Sequence, residues 1–186
     1  MAEKLKFKQK IYKLIPKRFR RGVKNIYYDK TIYPIYGLKY LIRYGRYDFF
    51  NSIAIETTTY CNLRCKFCPN SIYDRGAIER KKLMKLTLFK KIVNELGDIK
   101  YNGWILMHFY GEPLTDKRIT MLVKYIKINC PNAKVQINSN GFLLTINLYK
   151  ELLEAGVDRL FITQYGESKI PGVQAVIKYL KTRIVN

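Results

Sequence analysis

The spacing of polar and apolar positions changes at about residue 50. Beyond it, short β-branched runs alternate with segments whose apolar residues recur at helical intervals. NSIAIETTT (51–59) reads as a strand leading straight into Cys61. Thr87 is the expected N-cap of a helix with Leu88, Phe89, Ile92, Val93 and Leu96 on one face and Gly97 as its stop. WILMHFY (104–110) reads as a second strand. Ile119, Leu122, Val123 and Ile126 follow at i, i+3, i+4 and i+7 of a second helix, ended by Pro131. AKVQINS (133–139) is a third strand, and Thr145 caps a helix carrying Leu148, Tyr149, Leu152 and Leu153 up to Gly156. VDRLFITQ (157–164) is a fourth strand, after which Pro171 opens a helix with Val173, Val176, Ile177 and Leu180 in line.

Strand followed by helix, four times, predicts an α/β fold with a parallel sheet built by right-handed crossovers. The strand-to-helix loops then share one edge, where ligands bind in such sheets. That edge receives the cysteine loop, YGEP (110–113), NSNG (138–141) and the residues after Thr163.

The 186 residues suffice for one domain with a real core. The apolar content and the modest Gly and Pro counts exclude a disordered or low-complexity chain. With no apolar leader and cleavage site in view, the expected location is the cytoplasm, with reduced thiols. No run approaches the roughly 18 apolar residues of a membrane-spanning helix. The net charge is +21, and residues 1–50 hold 14 Lys or Arg against three acids, a net +11, with eight of the 16 tyrosines. KLIPKRFRRGVKNIYY (13–28) mixes cations with aromatics and would suit an anionic partner, either nucleic acid or an acidic membrane surface. Because the other 136 residues are also net +10, a merely solvated basic arm is equally a reading of that charge. The expected division is a basic N-terminal extension, 1–48, and a core, 49–186.

CNLRCKFC (61–68) places Cys61, Cys65 and Cys68 within eight positions. Three thiolates on a short loop can hold a metal centre and leave one coordination position open, and thiolates are the usual ligands of iron-sulfur clusters. A closed structural zinc site would need a fourth ligand, for which His108 and Cys130 are the candidates. Cys130 falls 11 residues after Ile119 on the same helical stripe and reads as a small core hydrophobe. His108 falls inside the second strand, facing the site or hydrogen-bonded elsewhere.

The spacing Cys61-x3-Cys65-x2-Cys68, with Phe67 before the third cysteine, resembles the signature of the radical S-adenosylmethionine (radical SAM) enzymes. YGEP is similar to that family's Gly-Gly-Glu-Pro segment, with Tyr110 in place of the first glycine, and NSNG resembles its Thr-Asn-Gly turn. The resemblance covers residues 50 to about 180. It implies a partial (β/α) barrel, a 4Fe-4S cluster on Cys61, Cys65 and Cys68, and S-adenosylmethionine chelated to the fourth iron. It places the Phe67 main chain at the adenine, Gly111, Glu112 and Pro113 at the methionine amino group, and Ser139, Asn140 and Thr163 near the ribose or carboxylate. Reductive cleavage would release methionine and a 5'-deoxyadenosyl radical that abstracts hydrogen from a substrate, with a reduced flavodoxin or ferredoxin as electron source.

The family core usually has six strand-helix units, and four are counted here. The chain therefore reads as a fragment that needs a partner chain to complete the barrel, as a truncated or split product, or as a minimal enzyme. CNLRCKFCPN and GEPL are similar to members that modify peptides and carry a C-terminal SPASM-type domain, which makes a peptide or protein the expected substrate class. The alternative is a non-catalytic cluster-binding remnant, or a module for nucleic acid or membrane surfaces.

Overall fold

The computed structural model describes residues 16, 22, 25–45, 50–165 and 169–184. The chain divides into two compact units, Met1–Phe50 and Asn51–Asn186. In the first, a π-helical stretch, Tyr28–Ile32, runs into helix α1, Tyr33–Tyr44, which ends at Gly45 in the left-handed conformation. Lys17, Arg18, Arg20 and Arg21, on which much of the expected anionic contact would rest, lie outside the described residues.

The second unit is an open sheet of four parallel strands in sequence order: β1 Ser52–Ala54, β2 Trp104–Leu106, β3 Lys134–Ser139 and β4 Arg159–Ile162. Ile53 pairs with Ile105, Ile105 with Val135, and Ile137 with Leu160. Helices α2 (Leu86–Asp98), α3 (Ile119–Asn129), α4 (Ile146–Ala155) and α5 (Pro171–Ile184) form the crossovers and the return after β4. Strand alternation sends Ile55, Ile105, Met107, Val135 and Ile137 into the core. Phe89, Val93, Leu96, Ile119, Leu122, Val123, Ile126 and Leu152 are among the buried helix residues. The expected four parallel strand-helix units of a partial barrel are all present.

Several boundaries differ from the expectation for identifiable reasons. The first strand is short because residues 57–59 leave the sheet to pair with 82–84: Met84 N–H donates to the Thr57 carbonyl (2.9 Å) and Thr59 N–H to that of Lys82 (3.0 Å). This exchange closes the cysteine loop at its base. Helix α2 starts at Leu86 behind Lys85, so Thr87 lies within the first turn and is not the cap. Leu88 is correspondingly exposed. Gly97 lies inside α2; a Cβ there would stand 2.1 Å from the Asn129 carbonyl oxygen, so the glycine permits close helix approach and does not stop the helix. Thr145 does cap α4, accepting from Leu148 N–H at 3.1 Å.

Candidate functional site

At the carboxyl ends of the strands, one cleft is lined by Cys61, Cys65, Phe67, Cys68, Gly111, Glu112, Ser139, Asn140 and Thr163, with Tyr165 and His108 beside them. The three cysteines are half-buried and free of disulfides. Cys68 N–H donates to the Cys65 carbonyl at 2.9 Å, and Cys68 precedes the one-turn helix Pro69–Ile72. Burial raises the Cys61 thiol above its ordinary value, against a hydrogen bond from Leu63 N–H. Phe67 is largely exposed and lies against Tyr165, ring centroids 5.6 Å apart.

Three polar braces, one half-buried and two buried, hold these loops. Glu56, at the end of the first strand run, accepts from Tyr110 N–H (3.0 Å) and Gly111 N–H (2.9 Å) and forms a two-point ion pair with Arg75. Burial would raise this carboxyl, but the Arg75 and amide hydrogen bonds outweigh it and hold it below the ordinary value. Asn70, 2% exposed, donates to the carbonyls of Thr59 (3.1 Å) and Tyr110 (3.2 Å). Gly111 makes this approach possible, since a Cβ there would meet the Thr58 carbonyl oxygen at 1.9 Å.

Glu112 is the third brace. It is 4% exposed and accepts from Leu114 N–H (3.0 Å), Ser139 Oγ (2.7 Å) and Asn140 N–H (2.8 Å). Burial raises its carboxyl, with those hydrogen bonds opposing the shift. Its carboxylate thus joins the second-strand loop to the third. Asn140 Nδ2 reaches Asn62 Oδ1 at 2.9 Å and lies 3.9 Å from Cys61 Sγ. Thr163 N–H donates to the Ser139 carbonyl at 2.9 Å.

Nine of the ten sequence-derived site residues line the cleft. Pro113 does not; it is buried at the start of a 3-10 turn, Pro113–Thr115. Cys130 is 1% exposed beyond the end of α3, with Sγ 3.5 Å from the Tyr101 carbonyl oxygen, and is core as expected. His108 lies just past β2 and not within it, and it lines the cleft. Sequence reasoning missed Glu56, Asn70 and Arg75. Only Glu56 left a signal, a carboxylate within a β-branched run.

The donor set fits a cluster. Three half-buried thiols meet at one cleft, the donor type that iron-sulfur clusters take.

The Radical SAM superfamily profile matches residues 55–177. The chain is similar to the S-adenosyl-L-methionine-dependent 2-deoxy-scyllo-inosamine dehydrogenase of Niallia circulans, 32% identical over 120 residues, covering 64% of this chain and 47% of that protein. A tungsten-containing aldehyde ferredoxin oxidoreductase cofactor-modifying protein of Pyrococcus furiosus is 29% identical over 125 residues, 67% of this chain and 33% of that one. GTP 3',8-cyclase of Campylobacter jejuni is 32% identical over 117 residues, 61% and 34% of the two chains. Among solved structures, BtrN in complex with AdoMet and 2-DOIA superposes with a TM-score of 0.63 at 30% identity, covering 70% of this chain and 52% of that one. The chain spans about half the length of these proteins or less.

Proposed function

The chain belongs to the radical SAM superfamily, and on that premise we propose that it binds a 4Fe-4S cluster through Cys61, Cys65 and Cys68 and S-adenosylmethionine beside it. The observation that carries this reading is the meeting of those three thiols with Gly111, Ser139, Asn140 and Thr163 in one cleft. When bound, the pair supplies a reductive cleavage of S-adenosylmethionine that yields methionine and a hydrogen-abstracting 5'-deoxyadenosyl radical. The chain's own residues orient and shield. Phe67 and Tyr165 wall the adenine side, Gly111 offers main-chain groups to the amino end, and Ser139, Asn140 and Thr163 border the ribose and carboxylate. Glu112 acts through Ser139 and Asn140, whose positions it fixes; Pro113 acts only by shaping the turn.

The proposal includes a flavodoxin- or ferredoxin-type reductant, a cytoplasmic location, a partner segment or chain completing the barrel, and a division of labour between residues 1–48 and 49–186. Among the described residues no helix is long and apolar enough to cross a membrane. Two substrate classes follow. A peptide or protein rests on the resemblance of CNLRCKFCPN and GEPL to peptide-modifying members. A small hydroxylated molecule rests on relatives whose names carry an inosamine and GTP.

The test is anaerobic reconstitution with iron and sulfide, dithionite reduction with S-adenosylmethionine, and chromatography for 5'-deoxyadenosine. Nucleoside formed by the wild type and absent in Cys65→Ala is the expected result. A chain that retains no iron, or one that retains it equally after Cys65→Ala, would sink the proposal.

A further inference from the structure

In the N-terminal unit the five residues Tyr28–Ile32 and the 12 of α1, Tyr33–Tyr44, make one unbroken helical run, roughly 25 Å long. Ile35, Leu38 and Ile42 recur at i, i+3 and i+7 and so share one face of it. They are 61%, 52% and 79% exposed. Lys39, one turn after Ile35, borders that face and is exposed too. Single exposed apolar side chains are ordinary, but three in line on one helix mark a surface that meets something. Tyr33 and Tyr36 are also exposed, and tyrosine suits a boundary where one end of the ring is apolar and the other wet.

Charge decides what that surface meets. Residues 1–50 are net +11, and Lys17, Arg18, Arg20, Arg21 and Lys24 precede the helical run. A second copy of the segment is equally basic, and residues 51–186 are net +10, so neither complements it. A nucleic acid complements the charge, but it stacks on aromatic rings and meets cations through phosphate, which leaves a stripe of branched aliphatic side chains without a counterpart. An acidic lipid surface supplies both halves: headgroups for the cations and an acyl boundary for the aliphatic stripe. The contact is with the surface, since among the described residues no helix is long and apolar enough to cross a membrane.

We propose that residues 17–44 are a membrane-surface anchor, in which Ile35, Leu38 and Ile42 enter the headgroup–acyl boundary of an anionic phospholipid bilayer while Lys39 and the upstream cations hold its headgroups. Lys39 can cover apolar surface with its stem and keep its ammonium in water. The two signals act together, because a short apolar stripe or a basic cluster alone gives weak, reversible attachment. This inference goes beyond the radical SAM reading and does not depend on it.

Cosedimentation of the full reconstituted chain with vesicles tests this. The wild type should bind mixed phosphatidylcholine–phosphatidylglycerol vesicles and leave pure phosphatidylcholine vesicles largely alone. The triple variant Ile35→Gln, Leu38→Gln, Ile42→Gln keeps good helix formers in place and should bind the mixed vesicles at least about tenfold more weakly. Replacing Lys17, Arg18, Arg20 and Arg21 by Gln should weaken binding roughly fivefold for each charge removed. Circular dichroism checks that each variant keeps its helix content. A wild type indifferent to the mixed vesicles overturns the proposal and makes an acidic protein the occupant. A triple variant that binds as tightly as the wild type overturns it too, the attachment then being electrostatic alone. Polyuridylate that strips the wild type from the vesicles, and binds the triple variant equally well, reassigns the segment to nucleic acid. The nucleoside assay is read separately: vesicle binding without nucleoside defeats the cluster reading alone, and nucleoside without vesicle binding defeats this inference alone.

Discussion

The loops after the first three strands and the flank beyond the fourth are held by different means. After β1, β2 and β3 the loops are locked by polar side chains with little or no exposure: Glu56 on Tyr110 and Gly111, Asn70 on Thr59 and Tyr110, Glu112 on Ser139 and Asn140. Beyond β4 there is an apolar trough between α4 and α5, lined by Leu144, Tyr149, Leu153, Leu160, Ile162 and Val173, and Leu153 is 44% exposed. Thr163 enters the cleft from that side through a main-chain bond alone. The difference teaches that the cofactor edge is organised by directional contacts internal to this sequence, while the fourth strand's flank presents a mainly apolar surface. Directional contacts fix loops to a fraction of an ångström, and apolar troughs are filled by whatever fits.

The largest expected effect falls on the locked side. Replacing Cys61, Cys65 or Cys68 by Ala should abolish the iron-sulfur absorption of the reconstituted protein, whereas Cys130→Ala should retain it. If Cys130 proves necessary for iron retention, the three-ligand site is wrong. Next in size, Glu112→Ala should lower unfolding stability by roughly 2–4 kcal/mol, because it leaves Ser139 Oγ and the Leu114 and Asn140 amides without their buried acceptor. Denaturant titration measures this, and a loss below the error of the method would remove Glu112 as a brace.

Glu56→Gln should cost less, about 1–2 kcal/mol, because Arg75 is partly exposed and its pair with Glu56 is screened. Here pH sharpens the contrast. The Glu56 carboxyl is held below its ordinary value, so its contribution is complete above the ordinary carboxyl range and is lost as pH falls through the lowered folded value. Thermal unfolding of Glu56→Gln should therefore converge on the wild type in acid. Smallest of all, Leu153→Ser on the open flank should stay within about 0.5 kcal/mol. A loss of several kcal/mol there would show that the flank is as tightly held as the cofactor edge and would dissolve the contrast.

The helices and the parallel order were legible because Ile119, Leu122, Val123 and Ile126 repeat at helical spacing and all four are buried. The cysteine loop and NSNG were legible because their chemistry is local in sequence. The braces were not. Asn70 reaches Tyr110 across 40 positions and Glu56 reaches Gly111 across 55, and no periodicity encodes such a contact. Thr87 misled because a good capping residue one position inside a helix looks the same in sequence as one at its start, and Gly97 because the carbonyl it must clear belongs to Asn129.

The Glu56–Arg75 pair also fixes what could be transplanted. Moved alone into another scaffold, the eight residues of CNLRCKFC would leave behind the carboxylate that closes their loop, the Asn70 amide that staples it and the Tyr110 backbone on which both act. The smallest portable cassette is residues 56–84 together with 108–115, two pieces of chain that a recipient fold would have to present side by side as neighbouring parallel strands.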